Sequence, residues 1–241
     1  MGTVLIQPET TKNPITLIGR QAGICWGADT TDELKNFKRG LDCLEAWHGR
    51  TFEFPDVYLV LDGYSARVIR EWYTHIGGSP TRLQASTRYI DYQNFPYVIP
   101  QSIENNEETL RIYQWGIGAI RTAIEQLTQH GVPREDAALL LPLGMQTKIV
   151  CKHNLRNLID MSHQRMCSRA YWEYRNLFND VKNALHDYSQ EWAWITDQYF
   201  QLHIIIPFIC HCLYSFLVFF RSRAFPGMCR SARTSAGNID R

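Results

Sequence analysis

Leu34, Phe37, Leu41 and Leu44 recur at intervals of three and four, the period of one face of an α-helix. The spacing predicts a helix that buries this stripe and turns Lys35, Lys38 and Arg39 to solvent, with N-cap candidates in Asp29-Thr30-Thr31 just upstream. From Asp56 to Leu61 the period drops to two. Tyr58 and Val60 share one face, and Val57, Leu59 and Leu61 the other. Both faces are largely apolar, which predicts a strand buried on both sides. A helix follows from Ser65 to Thr74, and His75-Ile76-Gly77-Gly78-Ser79-Pro80 then breaks regular structure. Asn94, Pro96 and Pro100 mark a loop, and Asn105 with Glu108 resembles a capping box. The helix it opens carries the stripe Leu110, Tyr113, Ile117, Ile120, Ile124 and Leu127, and Gly131 and Pro133 end it. Thr147 to Lys152 reads as a short strand, Asn154 as the cap of the next helix, and Ser168 to Tyr199 as one long helical region. Helices and strands follow one another without a repeat. This order predicts an α+β or α/β single domain, a central mixed or antiparallel sheet flanked by helices.

Beyond Gln201 the pattern changes. Leu202 to Phe220 is almost wholly apolar, and Arg221 and Arg223 follow at once. A run of about 20 apolar residues is long enough to cross a bilayer, and basic flanks suit a cytoplasmic side. His203, Pro207 and His211 interrupt the run and weigh against a membrane span. A helix used in oligomer contacts, or an ending such as a shifted reading frame would produce, fits the same segment. Residues 1–201 are therefore read as the folded domain and 202–241 as an atypical apolar and basic tail.

Composition narrows the classes. The 241 residues are 45% hydrophobic, enough for one sizeable core without disulfides or metals. Lys+Arg is 25 and Asp+Glu 24, a balance that argues against a nucleic-acid partner. A small anion needs only a few local arginines. The seven cysteines are odd in number and contain no CxxC pair, so neither a disulfide framework nor a metal site is expected. The N-terminus lacks the basic and apolar regions of a secretory signal, and a reducing, cytoplasmic location fits best.

Two stretches carry chemistry. In Thr81-Arg82-Leu83-Gln84-Ala85-Ser86-Thr87-Arg88-Tyr89, the Ser86 and Thr87 hydroxyls stand beside the planar Arg88 fork, a set suited to phosphate or carboxylate. Gly77 and Gly78 would admit a ligand close to the backbone. A polar loop with a surface arginine is the bland alternative. In the second stretch, Arg156 and Asp160 are four apart on a helix and could form a simple ion pair. Arg165 lies nine residues beyond Arg156, about 2.5 turns on, so a straight helix points the two to opposite sides. A third group, His48 with Arg50 and Glu53, reads on its own as structural.

In order and spacing, these residues resemble the flavin-dependent thymidylate synthase family, from about Pro14 to Tyr199. His48 and Glu53 match its His-x4-Glu segment, and Gln84-Ala85-Ser86-Thr87-Arg88-Tyr89 its Ser-x-Arg-Tyr ending. Glu135-Asp136-Ala137, Leu141-Pro142, Thr147, Asn154-Leu155-Arg156 and Arg165 follow in family order, and Arg169-Ala170-Tyr171-Trp172-Glu173 is similar to the closing segment. The resemblance implies conversion of dUMP to dTMP, with carbon from methylenetetrahydrofolate and reducing equivalents from NADPH through FAD. It also implies a homotetramer with shared active sites. Carried over by position, Arg70, Gln84, Ser86, Thr87, Arg88 and Arg165 would bind dUMP, with Arg165 the catalytic group beside the uracil. His48, Arg50, Glu53, His75, Asn154, Arg156 and Asp160 would bind FAD. The family uses no protein nucleophile, so Cys167 reads as a small buried residue.

The chain departs from the pattern at three places. Tyr73-Thr74-His75 stands where the family has Arg-His-Arg, Ala138 stands where relatives have a phosphate-binding arginine, and the tail after Gln201 is unlike a family ending. Arg82 or Arg70 is the expected substitute for the missing charge at Ala138. A relative that binds nucleotide or flavin without methyl transfer is the alternative these departures leave.

Overall fold

A computed structural model describes residues 2–78 and 80–200. The run from Leu202 to Phe220, and with it every reading of the tail, lies outside the described residues. Four strands form one sheet: β1 (Thr3–Ile6), β2 (Asp56–Ser65), β3 (Thr81–Gln84) and β4 (Gln146–Asn154). Their order is β1-β2-β4-β3 and every pair is antiparallel, so the fold is α+β and not the parallel α/β alternative. The helices are α1 (Pro14–Cys25), α2 (Glu33–Glu45), α3 (Ala66–Trp72), α4 (Gln101–Glu104), α5 (Glu107–Gln129), α6 (Arg134–Ala137), α7 (Leu155–Arg165), α8 (Trp172–Tyr188) and α9 (Gln190–Tyr199).

One face of the sheet makes the main core. Val57, Leu59 and Leu61 of β2 and Ile149 and Cys151 of β4 pack with Val68, Ile69 and Trp72 of α3, Leu158 and Ile159 of α7, and Tyr174, Leu177 and Phe178 of α8. A smaller cluster gathers Phe95, Ile117, Ile124, Ala137 and Met145 around α5, whose expected stripe does face inward. The cap of α5 is Asn106 rather than Asn105: its side-chain oxygen Oδ1 accepts from the Glu108 and Thr109 amides at 2.8 and 3.2 Å.

The opposite face of the sheet corrects the expectation for β2. Leu5, Val60, Val150 and Leu83 stand in register across all four strands. Val60 is only half-buried, and Leu5 and Leu83 are 63% and 72% exposed. Among the described residues no helix covers this row. Ion pairs between β2 and β4, Lys148–Asp62 and Lys152–Asp56, both at 2.7 Å, flank it.

The stripe proposed for α2 is also rotated. Leu34 is exposed, whereas Asn36, Gly40, Cys43 and Leu44 are buried. The cause is a close approach to α1. A Cβ on Gly19 would lie 1.8 Å from the Asn36 carbonyl oxygen, and one on Gly40 would lie 1.9 Å from that of Ile15. Backbone packs on backbone there, and only glycine permits it. Asn36 tolerates burial because its amide donates to the Thr30 carbonyl (2.9 Å) and its side-chain oxygen accepts from Arg39 (2.9 Å). Arg39, expected in solvent, is thereby half-buried and also reaches the Gly19 carbonyl at 3.1 Å. The α2 cap is Asp32, while Asp29 closes a local turn onto Thr31.

The long C-terminal helix is two helices. Ser189 is extended; its hydroxyl accepts from the Trp192 amide (3.2 Å) and donates to the Lys12 carbonyl (2.7 Å). Two residues beyond Ser189, the Glu191 carboxylate caps α1 by accepting from the Ile15 and Thr16 amides at 2.6 and 3.0 Å. Glu173 does similar work at the start of α3. It is buried and accepts from the Ser65 amide (2.7 Å) and hydroxyl (2.5 Å), while Ser65 caps Val68. The β2–α3 junction is thus tied to α8.

Candidate active site

Residue Arg165 closes α7, and its side chain folds onto the end of α3. Nε donates to His75 Nε2 (2.8 Å), Nη1 to Glu71 Oε2 (3.2 Å) and Nη2 to Thr74 Oγ1 (3.3 Å). The guanidinium plane also lies over the Tyr174 ring, 4.6 Å from its centre. His75 is the acceptor in its contact, so it is neutral at Nε2. Burial first, then the Arg165 and Arg82 charges, push its pKa down to about 4. The side chains of Arg165 and Glu71 are 22% and 29% exposed, so this charged cluster borders solvent on one side.

Behind it runs a buried polar chain. Trp72 Nε1 donates to His153 Nε2 (3.0 Å), and His153 Nδ1 then carries the proton toward Asn157 Oδ1 (2.5 Å). His153 is 1% exposed, and desolvation holds its pKa down at about 4. Asn154, at the start of α7, accepts from the Asn157 amide (2.9 Å), as expected of a cap, and donates from Nδ2 to the Gly78 carbonyl (3.3 Å). Gly78 has φ 71°, and a Cβ there would meet Asn154 at 2.3 Å. The glycine therefore admits the Asn154 amide, a protein group, to the turn at Gly77 and Gly78.

A second cluster sits at the other end of α7. Glu53 accepts from Arg50 (2.7 Å) and from Arg156 (2.8 Å). The hydrogen bonds from Arg50 and then Arg156 hold its carboxyl below the usual carboxylate range. Arg156 thus pairs with Glu53, and the simple Arg156–Asp160 ion pair does not form. A cleft of about 410 Å³ opens beside them. Its lining combines Trp47, Phe52 and Ile159 with Arg50, Arg156 and Asp160. His48 is exposed on the same loop, and its carbonyl accepts from Thr51. Trp47 is 54% exposed with φ 55° and meets Phe52 edge-on at 5.5 Å.

The third group follows β3. The first half of the supposed loop, Thr81–Gln84, is an edge strand on β4, and Ser86 to Arg88 form the turn after it. The Ser86 hydroxyl accepts from the Arg88 amide (3.2 Å), and Arg88 Nε donates to Glu135 (2.6 Å). Gln84 reaches Thr147 Oγ1 at 3.3 Å. Thr87, Arg134 and Ala138 line one small cleft. Arg82 does not join this group. It donates to the carbonyls of Tyr73 (2.8 Å) and His75 and lies over the Tyr73 ring, so its charge is spent on the C-terminal end of α3. The idea that Arg82 replaces a charge at Ala138 is thereby corrected. Arg70 is exposed and free of hydrogen bonds and ion pairs among the described residues.

The model of the Thy1 family, thymidylate synthase complementing protein, matches residues 8–188. The chain belongs to the Thy1 family. Among Thy1 relatives, the flavin-dependent thymidylate synthase of Geobacter sulfurreducens is 28% identical over 178 residues, covering 70% of this chain and 76% of that one. The enzyme of the same name from Clostridium tetani is 26% identical over 204 residues, covering 75% and 81%. In fold, the chain is similar to thymidylate synthase X of Helicobacter pylori, solved with FAD and dUMP. The TM-score is 0.65 at 16% identity, covering 83% of this chain and all of that one.

Against the sequence reading, the Thy1 residues sort into groups. Arg50, Glu53, Arg156 and Asp160 come together, with His48 on the adjoining loop. His75 instead joins Arg165, and Asn154 supports the turn between them. Ser86, Thr87 and Arg88 stand apart with Glu135. Sequence reasoning missed Glu71, His153, Asn157 and Trp47. For His153 a signal existed: in β4 it continues the inward alternation Thr147, Ile149, Cys151, where a polar side chain needs partners. Cys167, expected to be buried, is half-buried.

Proposed function

We propose that the chain is a flavin-dependent thymidylate synthase that methylates dUMP to dTMP. Methylenetetrahydrofolate is the carbon donor and NADPH reduces the FAD. The observation that carries this reading is Arg165, an arginine fixed on four sides at the end of α7 with its cluster open to solvent. The cleft at Trp47 suits a flavin nucleotide. It offers the Trp47 and Phe52 rings for apolar contact and the Arg50 and Arg156 guanidinium groups for anionic oxygens. Arg50, Glu53, Arg156 and Asp160 would hold FAD there, with His48 at the rim.

Bound and reduced, FAD supplies the two electrons that turn a methylene into a methyl group. The chain's own residues bind and polarise the nucleotide. Ser86 and Thr87 offer hydroxyls and Arg88 a charge to the dUMP phosphate, with Arg70 and Gln84 nearby in the family order. Glu135 pairs with the Nε edge of Arg88 and leaves its terminal nitrogens without another hydrogen-bond partner among the described residues. Arg165 faces the pyrimidine oxygens. C5 is nucleophilic when the ring is in an enolate-like form with negative charge on those oxygens. That electron pair then goes into the new C5–carbon bond, and a guanidinium already in position stabilises the activated form without reorganising. Cys167 has no covalent part. Reading the assembly as a homotetramer with shared sites, and the location as cytoplasmic, belongs to the same proposal.

Purified protein should be yellow. Its NADPH-reduced flavin should be reoxidised with dUMP and methylenetetrahydrofolate present, and dTMP should be found by chromatography. A yellow protein that forms no dTMP favours the binding-only relative, to which Ala138 and the missing basic triplet point. Arg165→Ala should lose turnover while retaining flavin absorbance, and near-normal turnover would refute the role given to Arg165.

A further inference from the structure

A guanidinium carries five N–H donors: one on Nε and two on each terminal nitrogen. In Arg165, His75 takes the Nε donor, Glu71 one on Nη1 and Thr74 one on Nη2. One donor remains on each terminal nitrogen. Tyr174 covers one face of the plane. The three acceptors lie within five residues at the end of α3, so that a single element sets the orientation of the fork. Of the three, only Glu71 is anionic, so its bond is the charge-assisted one. His75 and Thr74 are neutral, and each has a second engagement: the His75 carbonyl accepts from Arg82, and the Thr74 hydroxyl donates to the Glu71 carbonyl (2.7 Å).

We propose that Glu71 is a positioning residue that holds the Arg165 fork so that its two remaining donors meet the pyrimidine oxygens of the substrate. The inference rests on the reading of Arg165 given above. Glu71 works through its bond to Arg165. It acts by denying Arg165 the other rotamers of a long side chain, which would otherwise have to be given up during the reaction. A carboxylate also costs something, since it offsets part of the positive charge that Arg165 brings to the site. Position and charge can therefore be separated by substitution.

Glu71→Asp keeps the charge and withdraws the acceptor by one methylene. Glu71→Gln keeps an acceptor oxygen in place and removes the charge. Both are measured in the flavin-loaded enzyme with dUMP and methylenetetrahydrofolate. Glu71→Asp should lower kcat about tenfold or more, with KM for dUMP changed by less than about threefold. Glu71→Gln should stay within about threefold of the unsubstituted enzyme. Flavin content and the urea midpoint should be unchanged in both. Full kcat in Glu71→Asp overturns the proposal, as does an equal loss in both variants, which would assign the effect to charge. A loss of kcat that tracks loss of flavin or of stability overturns it too, because the role is then structural. Arg165→Ala distinguishes the two levels. If that variant turns over normally, the reading of Arg165 fails; if it is inactive while Glu71→Asp is normal, only the role of Glu71 fails.

Discussion

At the scale of residues, His153 couples folding to pH. Its folded pKa of about 4 lies below the ordinary histidine value of 6.5, so the unfolded chain takes up the proton first. The stability of the neutral buried form is complete above about pH 6.5 and is lost as pH falls toward 4. The loss approaches ~3 kcal/mol at the low end. His75 acts in the same direction and over the same window. Urea midpoints should therefore drop between pH 7 and 5, before most carboxylates titrate. His153→Gln can still accept from Trp72 and donate to Asn157 but cannot titrate, so its midpoints should slope less across that range. Identical slopes would show that His153 is not the source. Arg165 and Ser86 to Arg88, the residues proposed for the site, can be picked out by residue type and order alone. His153 and Glu71 cannot be picked out that way, because their partners lie 81 and 94 positions away along the chain.

At the scale of elements, legibility followed the source of the packing. The α5 stripe was readable because apolar side chains do the burying. The α1–α2 contact was not, because glycines do it, and an apolar periodicity cannot register a missing side chain. That contact is open to a direct test. Gly19→Ala forces a methyl into the Asn36 carbonyl, and both atoms belong to helices that cannot give locally. Destabilisation of about 3 kcal/mol is expected, at the upper end of overpacking effects. It should register as a lower thermal midpoint with the proposed active-site residues untouched. Gly27→Ala is a poor control because Gly27 has φ 65°. Gly118→Ala, in α5 with open space around the added carbon, should cost nothing and even gain helix propensity. Equal melting of the Gly19 and Gly118 variants would remove the account of α2's rotation. The break at Ser189 went unread for a related reason. A hydroxyl in an apolar-periodic stretch looks like a surface position until its partners, Lys12 and Trp192, are known.

At the scale of the whole molecule, α7 decides how an active site can be assembled. It carries Arg156 at its second residue and Arg165 at its last, and nine residues separate them by about 14 Å and half a turn. Arg156 turns to Glu53 and the Trp47 cleft, and Arg165 turns to the end of α3. The flavin side and the pyrimidine side proposed for one chain therefore face different directions. If both are used in one reaction, the flavin held by one copy should meet the Arg165 of another. This arrangement predicts complementation. Arg156→Ala should lose flavin and activity, and Arg165→Ala should lose activity alone. Co-expressed, the two should recover part of the activity, because a mixed assembly joins the intact Arg165 of the first chain to the intact Arg156 of the second. If every chain instead held a complete site of its own, each site in the mixture would still carry one substitution and no activity would return. Measuring dTMP formation in co-purified mixed assemblies, with the two chains carrying different tags, distinguishes these outcomes without depending on how many copies assemble.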